Sequence, residues 1–176
     1  CRNERFDIMK VLVIGGGGRE HAIVDALSRS AQVEKIFCAP GNAGIARQAE
    51  CVAIRETETE RLRDFAAAEG VELTVVGPEA ALAAGVVDVF RAAGLRIFGP
   101  TKAAARIESS KEFAKELMLR YGIPTAGFRA FSDYAEAAEY VRSRQLPAVL
   151  KYDGLAAGKG VVIAATQEEA DAALRD

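Results

Sequence analysis

The chain has 176 residues, half of them hydrophobic, and its 23 lysines and arginines nearly balance 25 aspartates and glutamates, for a formal net charge of −2. That balance, without a basic cluster, argues against a dedicated nucleic-acid surface, and no run approaches the roughly 18 apolar residues of a membrane span, so the expected partners are small molecules and the expected location is the cytoplasm. Cys1, Cys38 and Cys51 are odd in number and lack C-x-x-C spacing, which suggests neither a disulfide framework nor a zinc site.

The opening residues "CRNERFDI" are too charged for a signal peptide and read as an extension, residues 1–8, that adds nothing to the fold. From Met9 onward "MKVLVIG" is nearly continuously apolar, as suits a strand covered on both faces, and "REHAIVDALSRS" has helical spacing. The glycines of "GGGGREHA", residues 15–22, stand at the turn between them. As a dinucleotide fingerprint this turn lacks a third glycine where Glu20 stands, and the next strand ends on Cys38 and Ala39 instead of an acid for ribose hydroxyls. The nicotinamide reading is therefore weak. A glycine turn running into a helix N-terminus still offers free N–H groups to a phosphate or carboxylate, with Arg19 adding a fixed charge; a simple tight turn is the equal alternative. His21, the only histidine, cannot supply a metal cluster and packs or hydrogen-bonds more readily than it catalyses.

The pattern then repeats: "VEKIFCAP" as strand, "ETERLRDFAAAEG" as helix, "VELTVVG" as strand, "AALAAGVVDVFRAAG" as one helix and "LRIFG" as strand. Strands alternating with helices across short glycine-ended connections imply an α/β domain with a parallel, doubly wound sheet over residues 9–100. Two further loops, "APGNAG" at 39–44 and "GPEAAL" at 77–82, follow predicted strands, at the carboxyl edge where such sheets bind ligands. Taken singly, the first reads as an ordinary turn and Glu79 as a solvated acid at a helix start.

After "FGPT" the character changes, and an α+β domain is expected over residues 101–176. A helix over roughly 110–121 is expected to start with a capping box of Ser109 and Glu112, which places Lys111 in the first turn, where the dipole disfavours a cation and a ligand phosphate would offset that; on the residue alone a solvated surface lysine is the favoured reading. "DYAEAAEYVRSR" reads as another helix, and "AVLKYD" and "VVIAAT" as a hairpin joined by a glycine loop. That loop, "KYDGLAAGKGV", is not a P-loop: the glycine spacing is one residue short and Gly160 replaces the hydroxyl that binds magnesium. Lys151 ends the apolar run "LPAVL", so its ammonium is expected to emerge half-buried from a covered strand. Lys159 reads equally as a phosphate clamp or a solvated side chain. Thr166 and Glu169 suggest a capping box for a last helix that has little room before Asp176, so the chain is expected to be a fragment of a longer enzyme.

In order, "VLVIGGGGREHA", "APGNAG", "VVGPEAALAAGVVDVFRAAGLRIFGPT", "ESSKEFAKE", "GIPTA" and "KYDGLAAGKGVVIA" closely resemble the amino-terminal part of the phosphoribosylamine–glycine ligase family of ATP-grasp enzymes, over residues 9–176. Two departures stand out: the family usually has Asn or Ser where Gly17 stands, and Ala where Tyr152 follows the lysine. The resemblance implies a pre-ATP-grasp, Rossmann-like domain followed by an incomplete ATP-grasp domain. It implies that Lys111, Lys151 and the loop Gly154, Leu155, Ala156, Ala157, Gly158, Lys159 and Gly160 bind ATP, the loop acting as a mobile lid. It assigns the phosphoribosylamine side to Gly16, Gly17, Gly18, Arg19 and Glu20, to Gly41, Asn42 and Gly44, and to Gly77, Pro78 and Glu79.

The family reaction joins glycine to 5-phosphoribosylamine through glycyl phosphate in purine biosynthesis, consuming ATP. Its Mg2+ ligands are expected beyond Asp176, with none in this chain, so the chain alone is expected to be inactive. The alternatives are another ATP-grasp enzyme such as a carboxylase, or a non-catalytic nucleotide-binding fragment.

Overall fold

The computed structural model describes residues 8–156 and 158–175; the expectations for residues 1–7, Ala157 and Asp176 lie outside them. The chain divides into two compact units, one ending at Ala105 and the other beginning at Arg106.

The first unit runs β1 (Met9–Gly15), α1 (Gly18–Ser28), β2 (Val33–Pro40), a 3-10 turn (Ile45–Arg47), β3 (Glu50–Cys51), α2 (Thr59–Glu69), β4 (Leu73–Val76), α3 (Glu79–Ala84), α4 (Val86–Ala92) and β5 (Ile97–Phe98). Its five strands form one sheet in the order β3-β2-β1-β4-β5, with every pairing parallel. This is the doubly wound α/β fold expected from the alternation. The reason for the apolar run in β1 is visible in the two cores. Leu12 and Ile14 pack with Phe37, Leu62, Val86, Val87 and Phe90, whereas Val13 packs with Val24, Ile36, Cys38 and Ile45. Side chains alternate across a strand, so a strand covered on both faces must be apolar at every position. Burying Val11 to Ile14 completely contributes about 1.5–3 kcal/mol for each side chain.

"AALAAGVVDVFRAAG" is two helices, a correction to the single helix expected. Gly85 adopts the left-handed conformation (φ +93°) and separates α3 from α4. A left-handed glycine ends a helix without the Cβ penalty, and the break turns Ala81, Val86, Val87 and Phe90 onto one core. The 3-10 turn, β3 and a helix α5 (Lys102–Ser109) are further elements that the apolar periodicity did not mark. All are short or largely exposed; α5 buries only Ala105. The divide between the units falls inside α5.

The second unit contains α6 (Lys111–Arg120), α7 (Tyr134–Arg142), β6 (Ala148–Lys151), β7 (Val161–Ala164) and α8 (Gln167–Ala173). The strands β6 and β7 pair antiparallel as the expected hairpin, Lys151 opposite Val161. One hairpin face packs Leu150 and Ala164 against Val141, Ala170 and Leu174. The other carries Val149, Ile163 and Val161 in exposed positions. A core of a few aliphatic groups is small beside that of the first unit.

Candidate functional site

In the first unit the loops after β1, β2 and β4 stand together at the carboxyl ends of their strands, beside the point where strand order reverses between β1 and β4. Open parallel sheets offer ligand crevices at such switch points. The loops are knitted by backbone and by two polar side chains. The Gly41 N–H donates to the Gly15 carbonyl at 3.1 Å. Asn42 donates from its amide nitrogen to the Gly16 carbonyl at 2.8 Å and accepts from the Gly44 and Ile45 N–H groups, so it ties the first loop to the second.

Glu20 lies buried under the first and third loops. Its carboxylate accepts the Gly17 N–H at 2.6 Å, the N3-to-N-cap half of a capping box, while Gly17 has no side chain to make the other half. A Cβ added at Gly77 would lie 2.0 Å from Glu20 Oε1, and one at Gly15 would lie 2.6 Å from Glu20 Cγ. The acid thus fills the space that two glycines leave. Position 20 departs from the dinucleotide fingerprint because here a buried carboxylate, not a third glycine, joins helix to sheet.

Arg19 is exposed, its guanidinium donating to the Gly77 carbonyl at 3.0 Å and standing 3.6 Å from the Glu79 carboxylate. It reaches from the first loop to the third and stays open to solvent. Gly16 approaches the Gly41 carbonyl so closely that a Cβ would lie 2.6 Å from it, whereas Gly18 has open space where a Cβ would be. Pro78 is the N-cap residue of α3, which leaves Glu79 in its first turn. His21 packs beneath Gly44, with its Cε1 2.7 Å from the position of an added Cβ there. Below these loops the Cys38 thiol is 3.2 Å from the Gly15 carbonyl, and burial pushes its pKa up to about 12.

The second unit brings Lys111 to the glycine loop. Ser110, not Ser109, is the N-cap residue of α6: its hydroxyl accepts the Phe113 N–H at 3.1 Å. This corrects the register of the cap by one residue, and Lys111 remains in the first turn. From there its ammonium donates to the Gly154 carbonyl at 2.8 Å. Asp153, which the sequence reading passed over, completes the connection. One carboxylate oxygen accepts the Lys111 and Glu112 N–H groups at 2.5 and 3.1 Å, and the other accepts the Ser110 hydroxyl at 3.0 Å. Partial burial raises the Asp153 pKa, but the hydrogen bonds from Glu112, Ser110 and Lys111 outweigh it and hold the carboxyl below its ordinary range.

Lys151 differs from expectation. It is exposed, on the uncovered face of the hairpin with Val149, Val161 and Ile163, because only the opposite face carries the small core. Between the strands the loop closes with the Tyr152 N–H donating to the Gly160 carbonyl at 2.8 Å. Gly154 (φ +139°) and Gly158 (φ +80°) take positive φ, and the Tyr152 ring abuts Gly154, 2.9 Å from where a Cβ would stand. Leu155, Lys159 and Gly158 are exposed, Ala156 and Gly160 half-buried. At the end of the hairpin Thr166 caps α8, but the Glu169 carboxylate reaches the Ala165 N–H, one residue before the expected partner. Among the described residues no group of three or more His, Cys, Asp or Glu could hold a metal ion, and no helix is long and apolar enough to cross a membrane.

Residues 9–108 match the family model for phosphoribosylglycinamide synthetase, N domain, and residues 109–176 that for its ATP-grasp (A) domain. The chain is 57% identical over 155 residues to the phosphoribosylamine–glycine ligase of Caldanaerobacter subterraneus subsp. tengcongensis, covering 88% of this chain and 37% of that protein. It is 55% identical over 170 residues to the ligase of Escherichia coli O6:H1, covering 96% of this chain and 40% of that protein. The chain thus spans well under half the length of these relatives. Among solved structures, the phosphoribosylamine–glycine ligase of Thermotoga maritima superposes with a TM-score of 0.73 at 34% identity, over 93% of this chain and 38% of that one. A carboxyaminoimidazole ribonucleotide synthase from Aspergillus clavatus, complexed with ATP, superposes with a TM-score of 0.76 at 25% identity, over 97% of this chain and 44% of that one.

Proposed function

The chain belongs to the phosphoribosylglycinamide synthetase family, and from that premise we propose that it forms the phosphoribosylamine-holding and ATP-phosphate-holding parts of a cytoplasmic ligase that joins glycine to 5-phosphoribosylamine through glycyl phosphate. The observation that carries the reading is the Lys111 ammonium at 2.8 Å from Gly154, which joins a lysine to a glycine loop 43 positions away. A neutral carbonyl is a modest partner for an ammonium, and a phosphate oxygen is a stronger one. Lys111 and the exposed Lys151 neutralise phosphate charge in this reading, and the loop N–H groups of 154–160 cover it. Phosphoryl transfer asks the protein for positioning and charge neutralisation more than for covalent chemistry. The described residues contain no group of three or more His, Cys, Asp or Glu suited to Mg2+.

On the first unit, Arg19 and the first-turn N–H groups of α1 receive the sugar phosphate. Gly16, Gly17, Gly18, Gly41, Gly44, Gly77, Pro78 and Glu79 form the rim, and Asn42 and Glu20 hold that rim in shape. Support comes from the open space over Gly18 and the exposed guanidinium beside Glu79.

A chimera tests the whole reading. This chain replaces the matching amino-terminal part of the Escherichia coli relative, and ATP-dependent formation of glycinamide ribonucleotide is measured. Turnover is expected in the chimera, with a loss on the order of a hundredfold in Lys111→Ala or Lys151→Ala. A folded chimera without turnover, or one indifferent to both substitutions, overturns the proposal.

A further inference from the structure

Two connections between the start of α6 and the start of the glycine loop form a closed cycle. The Asp153 carboxylate holds the Ser110 hydroxyl and the Lys111 and Glu112 N–H groups, while the Lys111 side chain returns to Gly154, the residue after Asp153. With Ser110 accepting the Phe113 N–H, the first three amides of α6 are all satisfied. On its other side the loop base is closed by the bond from Tyr152 to Gly160. Beyond Gly154 the Lys159 N–H donates to the Ala156 carbonyl at 2.8 Å in a turn.

We infer that Asp153 is a positioning residue for polyphosphate binding: by locking the first turn of α6 to the base of the glycine loop, it sets where the Lys111 ammonium stands relative to the loop N–H groups. The inference rests on the phosphate reading of this site given above. Two features make Asp153 suited to the part. It sits between the hairpin strand and the first glycine, so its three bonds fix the loop base directly. Its charge is turned onto the positive end of the α6 dipole, which is the compensation a carboxylate needs if it is to stand near a phosphate site without repelling the ligand. Lys111 then exchanges the Gly154 carbonyl for a phosphate oxygen while the Asp153 bonds persist. The ammonium moves and its anchor does not.

The test uses the whole chain, by nuclear magnetic resonance, titrated with ATP to millimolar concentrations. Shifts are followed at Lys111 and at the loop amides in the native chain, in Asp153→Asn, Asp153→Ala and Lys111→Ala, and in the double variant Asp153→Ala/Lys111→Ala. Asp153→Asn keeps an oxygen for the α6 N–H groups and guards against a simple folding failure, which the amide spectrum of β6 and β7 also monitors. Expected are ATP-induced shifts at Lys111 and the loop, about tenfold weaker binding in Asp153→Ala, partial rescue in Asp153→Asn, and almost no added loss in the double variant over Lys111→Ala alone.

A purely structural role would cost the same factor with or without Lys111. Unchanged affinity in Asp153→Ala and Asp153→Asn, or an equal factor in both backgrounds, overturns the inference and leaves the phosphate reading intact. Absence of ATP-induced shifts at Lys111 and the loop in the native chain overturns that reading, and the inference falls with it.

Discussion

Glycines in the first unit answer different demands, and substitution separates them. At Gly77 a methyl group would drive into the Glu20 carboxylate, which is itself buried and held by Gly17. Gly77→Ala is expected to destabilise the protein by about 1–3 kcal/mol, the usual cost of overpacking. Gly18 opens the first turn of α1 with nothing near an added Cβ, so Gly18→Ala is expected to be neutral or to stabilise by up to about 1 kcal/mol. Urea denaturation of the two variants checks the contrast, and equal losses would refute it. Thr74 is a third case: it is wholly buried in β4 and its hydroxyl has no partner. Thr74→Val removes an unsatisfied polar group and keeps the shape, so a gain of about 1 kcal/mol is expected in the same measurement. The contrast between Gly18 and Gly77 could not be read from "GGGG" or "VVGP", because it depends on where another element, here α1 with Glu20, delivers an atom. Arg19 was legible as a fixed charge at a glycine turn; that Glu20 fills the interior of that turn was not.

The first turn of α6, the glycine loop and the hairpin strands act together, and acid should uncouple them. The Asp153 pKa is lowered in the folded chain from its ordinary value of 3.8. A carboxyl with a depressed folded value adds stability that is fully present above its unfolded pKa and disappears as the pH falls through the folded one. The bonds to α6 are therefore complete at neutral pH, start to fade as the pH drops past about 4, and are lost below the depressed value. Amide exchange at Lys111 and Glu112 is expected to accelerate over that acid range in the native chain and to lack this acid step in Asp153→Asn. An identical acid profile in the two would exclude the assignment. Element existence was largely legible here: three helices and a hairpin follow from capping residues, apolar spacing and the break at the glycine loop. The cap register was not, since Ser109 and Ser110 are chemically equivalent candidates and only Asp153, 43 positions from Ser110, selects the second. The same reasoning covers the split between α3 and α4, where the helical spacing continues through Gly85 but the left-handed backbone does not.

Over the whole chain the two units differ in what holds them. The first encloses two clusters around β1 and β2, and the second, among the described residues, buries only Ala137, Ala138, Val141, Ala164 and Ala170. Hydrogen exchange is expected to be slowest in β1, β2 and β4 and distinctly faster in α6, β6 and β7; uniform protection would show that the small core is not the limit. Within the first unit the two thiols differ in access: Cys38 is buried and its pKa raised to about 12, whereas Cys51 is exposed. In a Cys1→Ser background Cys51 is expected to alkylate promptly, and Cys38 only at the rate of opening of the first unit. The alternation of the main strands and helices, the parallel doubly wound sheet, the hairpin and the family were determined by the sequence alone. Each depends on local periodicity, turn chemistry or the order of motifs along the chain. The tertiary structure alone decided that Lys111 is tied to the loop while Lys151 is exposed on the other hairpin face, that Glu20 is interior, and that Asp153 joins helix to loop. Those outcomes are set by contacts between residues distant along the chain, and hydrophobic pattern carries no record of which distant polar atoms will meet.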